Sequence, residues 1–203
     1  MRRTKEDAEI TRQHLLKAGL KVFSEKGYAA SRLSDIAEVA GVTRGAIYWH
    51  FKNKKELFIA LFKENVNPVF AVMAKVLGED LEPLQKLRKL VSKTLDQIEK
   101  NTEFRANQAL EFENRKTQQE IPELFEYMKN HAEEFSISIK NVILSGQERG
   151  DIRRDIEADA IICTFLTLFR GYGFFMTHEA ILSIFKTDQS EQIVEIFIKG
   201  IKA

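Results

Sequence analysis

Apolar side chains recur along this chain at the three- and four-residue intervals of amphipathic helices, and no run shows the sustained alternation of a strand. Only three prolines and ten glycines interrupt the pattern. The spacing predicts an all-α protein of about nine helices. We expect these helices over residues 7–26, 32–39, 44–50, 54 onward, 83–100, 103–115, 122–149, 156–177 and 189–202.

Glycine and proline positions predict where several of these helices begin and end. Gly27 is expected to stop the first helix, because glycine accepts the left-handed backbone of a helix C-terminus. Pro83 suits the first turn of the fifth helix, where its missing N–H would have no partner in any case. Pro68 falls inside the fourth helix and predicts a kink there.

Residues 31–51 carry the most specific pattern in the chain. The segment reads SRLSDIAEVAGVTRGAIYWHF. Ile36 and Ala37 share the inward face of a first short helix, Gly41 permits a sharp turn, and Val42 fills the space beneath it. Two short helices joined by a tight turn that contains glycine are typical of a helix-turn-helix.

The ends and the inner face of the second short helix agree with this reading. Ser31 and Thr43 are expected to cap the two helices by accepting backbone N–H groups. Ile47 and Phe51 are four residues apart, so they lie on one face of the helix and are predicted to point inward.

The outward face of the second short helix combines small, aromatic and basic side chains, which suits double-stranded DNA. Arg44 can donate two hydrogen bonds to a guanine edge. Gly45 and Ala46 would let the helix approach the bases closely, while Tyr48, His50 and Lys54 could reach phosphates. The complete set of predicted DNA contacts is Arg32, Thr43, Arg44, Gly45, Ala46, Tyr48, Trp49, His50, Lys52 and Lys54.

Charge is distributed unevenly along the chain. The formal net charge is only +1, which taken alone argues against a nucleic-acid partner. Residues 1–56, however, hold 12 basic against 7 acidic side chains, and residues 57–203 hold 19 against 23. One end of the molecule could therefore attract phosphates although the whole chain is nearly neutral.

Patterns that predict catalysis or metal binding are absent from the sequence. It contains no GxSxG elbow, P-loop, HExxH or dinucleotide fingerprint. Its one cysteine, Cys163, excludes an internal disulfide and is expected to be a small buried hydrophobe. His131 and His178 stand alone, which disfavours a metal site. We predict that the protein is not an enzyme and has neither a metal nor a cofactor.

The sequence also disfavours a membrane protein. The N-terminus MRRTKEDAEI has no apolar stretch behind its basic residues, unlike a signal peptide. The most apolar region, 160–176, is interrupted by Thr164, Thr167 and Arg170, whereas a span needs about 20 apolar residues. We expect a cytoplasmic protein.

Residues 10–62 resemble the N-terminal DNA-binding domain of the TetR family of bacterial transcriptional regulators. The stretch GVTRGAIYWHFKNKKELF is especially similar to the AcrR-like repressors of multidrug efflux pumps. The resemblance rests on Leu16, Ala18, Phe23, Gly27, Ile36, Ala37, Ala40, Gly41, Val42, Gly45, Tyr48, His50, Phe51, Lys54 and Leu57.

This resemblance implies a DNA-binding domain over residues 9–69, with its helix-turn-helix at 32–51, and a ligand-binding and dimerisation domain over 70–203. It further implies a homodimer whose two recognition helices enter successive major grooves of a palindromic operator. In such regulators, which are usually repressors, a small molecule shifts the fourth helix and releases the DNA. Control of an efflux pump would fit the same resemblance.

The helix predicted over 156–177 is apolar almost all round, so it has to be buried on more than one side. Contact with a second copy, together with the helix over 189–202, would achieve this. The residues we predict at this dimer interface are Ile161, Leu168, Tyr172, Ile193 and Phe197.

Ten of the 15 phenylalanines lie after residue 100. One interpretation is simply a hydrophobic core. The other is an aromatic pocket for a small hydrophobic or aromatic effector, with a few polar anchors. The residues we predict around that pocket are Phe104, Asn107, Gln108, Glu111, Phe112, Phe165 and Phe169.

One alternative function remains compatible with the sequence. A DNA-binding protein on the same fold that senses no ligand would show the same N-terminal pattern. The sequence also leaves the operator, the effector, the regulated genes and the choice between repression and activation open.

Overall fold

The computed structural model describes residues 5–105, 121–177, 184 and 189–203. Residues 102–105 are helical, and the rest of the helix predicted over 103–115 lies outside the described residues. The all-α fold is confirmed. The complete helices are α1 (Lys5–Ala30), α2 (Leu33–Val39), α3 (Arg44–His50), α4 (Lys54–Gly78), α5 (Pro83–Lys100), α6 (Pro122–Arg149), α7 (Ala158–Phe175) and α8 (Ser190–Ile201).

Helix α4 contributes to two compact units. Among the described residues, the first unit contains the chain up to Val66 together with residues 121–125, and the second contains residues 67–105 and the chain from Glu126 onward. The first unit thus ends three residues before the predicted limit of the DNA-binding domain. It also includes the start of α6, which the sequence had assigned to the second domain.

The first unit has a core built around α1. Leu15, Val22 and Phe23 are buried there, and the Phe23 ring lies edge-on to Phe58 of α4 at a centroid distance of 5.2 Å. Gly27 has φ +74° and kinks the end of α1, as its predicted role as a stop requires.

Gly19 allows α1 to approach α4 closely. A Cβ added at this position would lie 2.7 Å from Leu57 Cδ2. Since this separation is far below van der Waals contact, a larger residue here would require the Leu57 side chain to move. The close packing of α1 on Leu57 of α4 therefore explains the glycine at position 19.

The second unit is built around α5, whose buried residues are those that the apolar spacing predicted. Leu87, Leu90, Leu95 and Ile98 are completely or almost completely buried. They pack with Phe165 of α7 and with residues of α8 in one hydrophobic cluster. Pro83 occupies the first turn of α5, as predicted.

Helices α4 and α7 are long and apolar enough to cross a membrane if only length and composition are considered. Helix α7 covers most of the segment 160–176, whose polar residues were expected to prevent it from spanning a membrane. Core helices of soluble proteins meet the same criteria, and both helices contribute residues to the cores described above.

The expectation for Cys163 is wrong, because its side chain is exposed. It lies on a face of α7 that also exposes Ala160 and Thr164. Ile162 and Phe165 occupy the buried face of the same helix. Helix α7 therefore has one face that the described part of the chain leaves exposed.

Candidate nucleic-acid interface and effector domain

Helices α2 and α3 form the predicted helix-turn-helix. Ile36, Ile47 and Phe51 are buried in the first unit. Gly41 adopts φ +67° in the turn, a conformation that residues with a side chain rarely adopt. This core fixes the orientation of α3, so its opposite face is presented to solvent.

The cap of α3 agrees with the prediction. Thr43 Oγ1 accepts a hydrogen bond from the backbone N–H of Ala46 at 3.2 Å and so satisfies one of the open donors at the start of the helix. The Thr43 hydroxyl oxygen therefore accepts a hydrogen bond within the protein, at the N-terminus of α3.

The cap of α2 differs from the prediction. The N-cap residue is Arg32 rather than Ser31, and the Ser31 hydroxyl instead donates to the carbonyl oxygen of Gly27 at 2.5 Å. Helix α2 begins one residue later than assumed, and the kink at Gly27 leaves a carbonyl within reach. The Arg32 N–H donates to the Asp35 carboxylate at 3.1 Å, and this bond, with Lys26 nearby, lowers the pKa of Asp35.

The solvent face of α3 carries large side chains that the described residues of the first unit leave exposed. Trp49 is 71% exposed and Tyr48 is 58% exposed. Arg44 lies at the start of the same helix and is also exposed. Arg32 and Lys52, at the two edges of the motif, are exposed as well, whereas Ala46 and His50 are half-buried.

Gly45 lies on this same surface, and packing against the described residues does not explain why this position is a glycine. A Cβ added there would have one neighbour within 4 Å, Thr43 Oγ1, at an ordinary contact distance of 3.9 Å. Glycine in a helix interior costs about 1 kcal/mol relative to alanine. Unlike at Gly19, the space that a side chain would fill at Gly45 is open to solvent.

Lys54 has a different role from the predicted phosphate contact. Its Nζ donates to the carbonyl oxygens of Tyr28 at 2.6 Å and Ser31 at 2.8 Å, with a longer bond to Ala29 at 3.2 Å. The ammonium group also lies 4.4 Å from the centroid of the Tyr28 ring. Lys54 thus ties the start of α4 to the last turn of α1 and to Ser31, which follows it.

A second tie between α1 and α4 was not predicted. Arg12 forms an ion pair with Glu64, and Gln13 Nε2 donates to the same carboxylate at 2.9 Å. The Arg12 guanidinium also lies 5.8 Å from the centroid of the Phe51 ring, just after α3. Partners separated by about 50 positions leave no local pattern in the sequence.

In the second unit, three of the predicted pocket residues do come together. The Phe169 ring lies 6.1 Å from Phe104 and 6.4 Å from Phe165 by ring centroids. Phe104 and Phe165 are nearly fully buried, which agrees with the alternative interpretation of these rings as core. The other predicted residues lie outside the described part of the chain: Asn107, Gln108, Glu111 and Phe112.

An open apolar groove of about 280 Å³ runs between α7 and α8. Four of the five residues predicted at a dimer interface line it: Ile161, Leu168, Ile193 and Phe197. Ile196, which also lines the groove, is 73% exposed. The fifth predicted residue, Tyr172, is turned into the unit instead and donates its hydroxyl to Glu99 of α5 at 2.5 Å.

Two further helical glycines lie in these helices with open space where a Cβ would be. Gly171 of α7 and Gly200 of α8 would place an added Cβ more than 4 Å from any neighbour outside the local helix backbone. Both are exposed, and Gly200 lines the groove. Packing against the described residues therefore does not explain a glycine at either position.

A smaller cavity of about 150 Å³ lies between α4 and α6 and was not predicted. Phe70 of α4 and His131 of α6 stack on its wall at a centroid distance of 4.5 Å. His131 stands alone as a histidine in the sequence, and Phe70, the ring on which it stacks, is 61 residues away.

Comparison with protein families decides the identity of the fold. A family model described as bacterial regulatory proteins, tetR family, matches residues 15–61. A second model, described as a tetracyclin repressor-like C-terminal domain, matches residues 83–194, which alone are more than half of the chain. The chain belongs to the tetR family. The resemblance that its N-terminal residues carry is thereby confirmed.

Individual relatives of this tetR-family chain fall into two groups. The HTH-type transcriptional regulator AcrR of Shigella flexneri is 42% identical over 90 residues, which cover 42% of each chain. The chain therefore matches less than half the length of AcrR. The fatty acid metabolism regulator protein of Bacillus subtilis (strain 168) is 26% identical over 196 residues, which cover 92% of this chain and 93% of that protein.

Among solved structures, NalD of Pseudomonas aeruginosa superposes on this tetR-family chain with a TM-score of 0.77 at 25% identity, covering 98% of each chain. NalD is the secondary repressor of the MexAB-OprM multidrug efflux pump. Members of the tetR family are DNA-binding transcription factors rather than enzymes, which agrees with the absence of catalytic motifs from this sequence.

Proposed function

We propose that this tetR-family protein is a repressor that binds a palindromic operator as a homodimer and is released from it by a small hydrophobic effector. The observation that carries the proposal is the solvent face of α3. It exposes Tyr48 and Trp49 together with Gly45, a glycine that packing against the described residues does not explain. A surface of this composition matches the major groove of DNA.

The proposed contacts divide by chemistry. Arg44, at the exposed start of α3, would read a guanine edge with its guanidinium. Tyr48, His50 and Lys52 would contact phosphates and fix the register. Arg32, Thr43, Gly45, Ala46 and Trp49 complete the proposed interface. Lys54 is left out, because its ammonium group already donates to backbone carbonyls.

The groove between α7 and α8 supports the dimer. An exposed apolar groove of this kind marks an association site on a soluble protein. The open glycines Gly171 and Gly200 would allow helices of a second copy to cross closely. A stable contact of this type buries more than about 1,200 Å² in total.

The second unit supports the effector-binding role through its aromatic content and through its relatives. Phe104, Phe165 and Phe169 form one cluster, and Phe135 extends it toward the cavity between α4 and α6. NalD is named as a repressor of a multidrug efflux pump and the full-length Bacillus relative as a regulator of fatty acid metabolism. We propose genes of an efflux pump as targets, and a cytoplasmic location.

Selection of duplexes from a random-sequence library by the purified full-length protein tests the DNA-binding half of the proposal. We expect a palindrome whose half-sites are separated by about one helical turn, or a multiple of it. An enriched site without two-fold symmetry would contradict the dimeric mode of binding.

Fluorescence anisotropy of the selected duplex, titrated with hydrophobic compounds, tests the effector half. We expect at least one compound to release the duplex and to raise the melting temperature of the free protein, since a ligand stabilises the state that binds it. If no drug-like or fatty acyl compound does either, the protein is a regulator that senses no ligand.

A further inference from the structure

One guanidinium group connects α1 with both α3 and α4. Arg12 projects from α1 and forms an ion pair with Glu64 of α4. Its guanidinium carbon also lies 5.8 Å from the centroid of the Phe51 ring, and Phe51 is the residue at which α3 ends. Arg12, Phe51 and Glu64 all belong to the first unit. The Arg12 side chain therefore lies where the positions of these helices are set relative to one another.

The Glu64 carboxylate is bound at both of its oxygens by side chains of α1. Oε1 pairs with Arg12, and Oε2 accepts a hydrogen bond from Gln13 Nε2 at 2.9 Å. Hydrogen bonds to an ionised group are roughly twice as strong as those between neutral groups. Two such contacts from consecutive residues restrict the rotation of the carboxylate, so Glu64 holds the Arg12 side chain against α4.

Glu9 offers the same guanidinium a second carboxylate, on α1 itself. Its Oε1 lies 3.3 Å from Arg12 Nη1 and accepts a hydrogen bond from Gln13 at 2.9 Å. The Glu9 side chain is 60% exposed and that of Glu64 is 34% exposed, so water screens the pair within α1 more than the pair between helices. Without Glu64, the guanidinium would keep only a partner on its own helix.

The Phe51 ring extends this contact to α3. Phe51 is buried, and its backbone N–H donates to the carbonyl oxygen of Ile47 at 2.9 Å, which closes the last turn of α3. A cation within about 6 Å of an aromatic ring is attracted to its face, and more strongly where water is partly excluded. A displacement of Arg12 would therefore remove an attraction on the residue that ends α3.

We propose that Arg12, held by Glu64, is a positioning residue for DNA binding, which fixes the end of α3 relative to α1 and α4. Alignment matters because hydrogen bonds to base edges weaken steeply when donor and acceptor are misdirected. This role rests on the proposed function, and it adds two residues to which that proposal assigns no contact with DNA.

The sign of one substitution separates positioning from simple charge. Glu64→Gln removes a negative charge from the DNA-binding unit, so through-space electrostatics alone would tighten binding to phosphates. If Arg12 depends on Glu64 for its position, the same substitution weakens binding. We expect the dissociation constant of the full-length protein for the selected duplex to rise about five- to thirtyfold, since a dimer contains the contact twice. Tighter or unchanged binding would overturn the proposal.

Glu9→Gln is the matched control, because it removes the same charge from the same neighbourhood and leaves the pair between α1 and α4 in place. Its affinity for the duplex should be unchanged or up to about twofold tighter. A loss of affinity equal to that of Glu64→Gln would show that the contact between the helices has no special role.

Arg12→Lys supplies the complementary change. It keeps the positive charge but replaces the planar guanidinium, which can pair with a carboxylate and stack on a ring at the same time. It should weaken binding, as Glu64→Gln does, although the two variants differ in net charge. If Arg12→Lys binds the duplex as tightly as the original protein, only the charge of Arg12 matters and the positioning role is rejected.

Two measurements distinguish positioning from a general loss of stability. Anisotropy is recorded at a temperature where circular dichroism shows every variant to be fully folded, so that weaker binding does not reflect unfolded protein. Hydrogen exchange of the free proteins then reports on α3 without DNA. The amides of the last turn of α3 and of Phe51 should exchange faster in Glu64→Gln than in Glu9→Gln. Equal exchange in the two variants would overturn the positioning role.

Failure of this role and failure of the proposed function give different results. If the original protein selects no duplex, both are rejected. If it selects a duplex that Glu64→Gln binds equally well, the proposed function is retained and only the positioning role is rejected.

Discussion

The ammonium group of Lys54 lies 2.8 Å from the carbonyl oxygen of Ser31, 23 residues earlier in the chain. With its bonds to Tyr28 and Ala29, this contact joins the first residue of α4 to the segment that leads into the helix-turn-helix. Any displacement of the start of α4 would act on that segment directly.

Lys54→Met should therefore lower the free energy of unfolding by about 1–3 kcal/mol, because partly buried carbonyls lose a charged donor. Urea unfolding monitored by circular dichroism measures the change. Lys55→Met is the matched control, since Lys55 forms only an exposed ion pair with Glu123, and it should change stability by less than about 1 kcal/mol. Equal effects of the two substitutions would show that the bonds to the carbonyls contribute little.

Gly45→Ala is expected to change stability and DNA affinity in opposite directions. The free energy of unfolding should rise by at most about 1 kcal/mol, since the new methyl group would lie at an ordinary 3.9 Å from Thr43 Oγ1 and alanine favours the helix. Affinity for the selected duplex should fall, because the methyl group occupies space proposed for the bases. Unchanged affinity, together with the gain in stability, would mean that α3 does not approach DNA at this position.

Ile196→Asp tests the groove between α7 and α8. Because Ile196 is 73% exposed in the single chain, the substitution should leave the protomer folded, whereas a buried unpaired carboxylate at a dimer interface is strongly unfavourable. Light scattering is expected to show a monomer. Ile137→Asp, at a residue of α6 that is 64% exposed and does not line the groove, should remain dimeric. A dimeric Ile196→Asp variant would move the interface elsewhere.

The bond between Arg32 and Asp35 predicts a dependence of stability on pH. Since the pKa of Asp35 is lowered on folding, its contribution is present above the unfolded pKa, near 3.8, and is lost as the pH falls through the lower folded value. Asp35→Asn should therefore be less stable than the original protein at neutral pH, and the difference should shrink in acid. A difference that is constant across that range would exclude the ionised carboxylate as its source.

Local spacing predicted the helix-turn-helix well, because its determinants lie within a few residues of one another. Thr43 caps α3 as expected, and Gly41 and Gly27 take the positive φ values that their positions suggested. The error at Ser31 arose because a serine hydroxyl can also donate, and the nearby kink at Gly27 offers it a carbonyl.

Contacts between distant segments could not be predicted in the same way. The roles of Lys54 and Arg12 depend on partners 23 to 52 positions away. The wall of the cavity between α4 and α6 likewise joins Phe70 to His131 across two helices. The expected burial of Cys163 was wrong for the single chain, because the apolar composition of its helix does not tell which face the same chain covers.

The open glycines at positions 45, 171 and 200 have a consequence for the isolated chain. Each lies in a helix where an added Cβ would meet at most one atom, at an ordinary contact distance. Alanine would add up to about 1 kcal/mol of helix propensity at Gly171, in the interior of its helix, and less at Gly45 and Gly200, which lie next to helix ends. A typical folding stability is only about 5–15 kcal/mol. The isolated protomer is thus less stable than it would be with alanine at these positions. Its resistance to heat and proteolysis should increase when it binds DNA and a second copy of the chain.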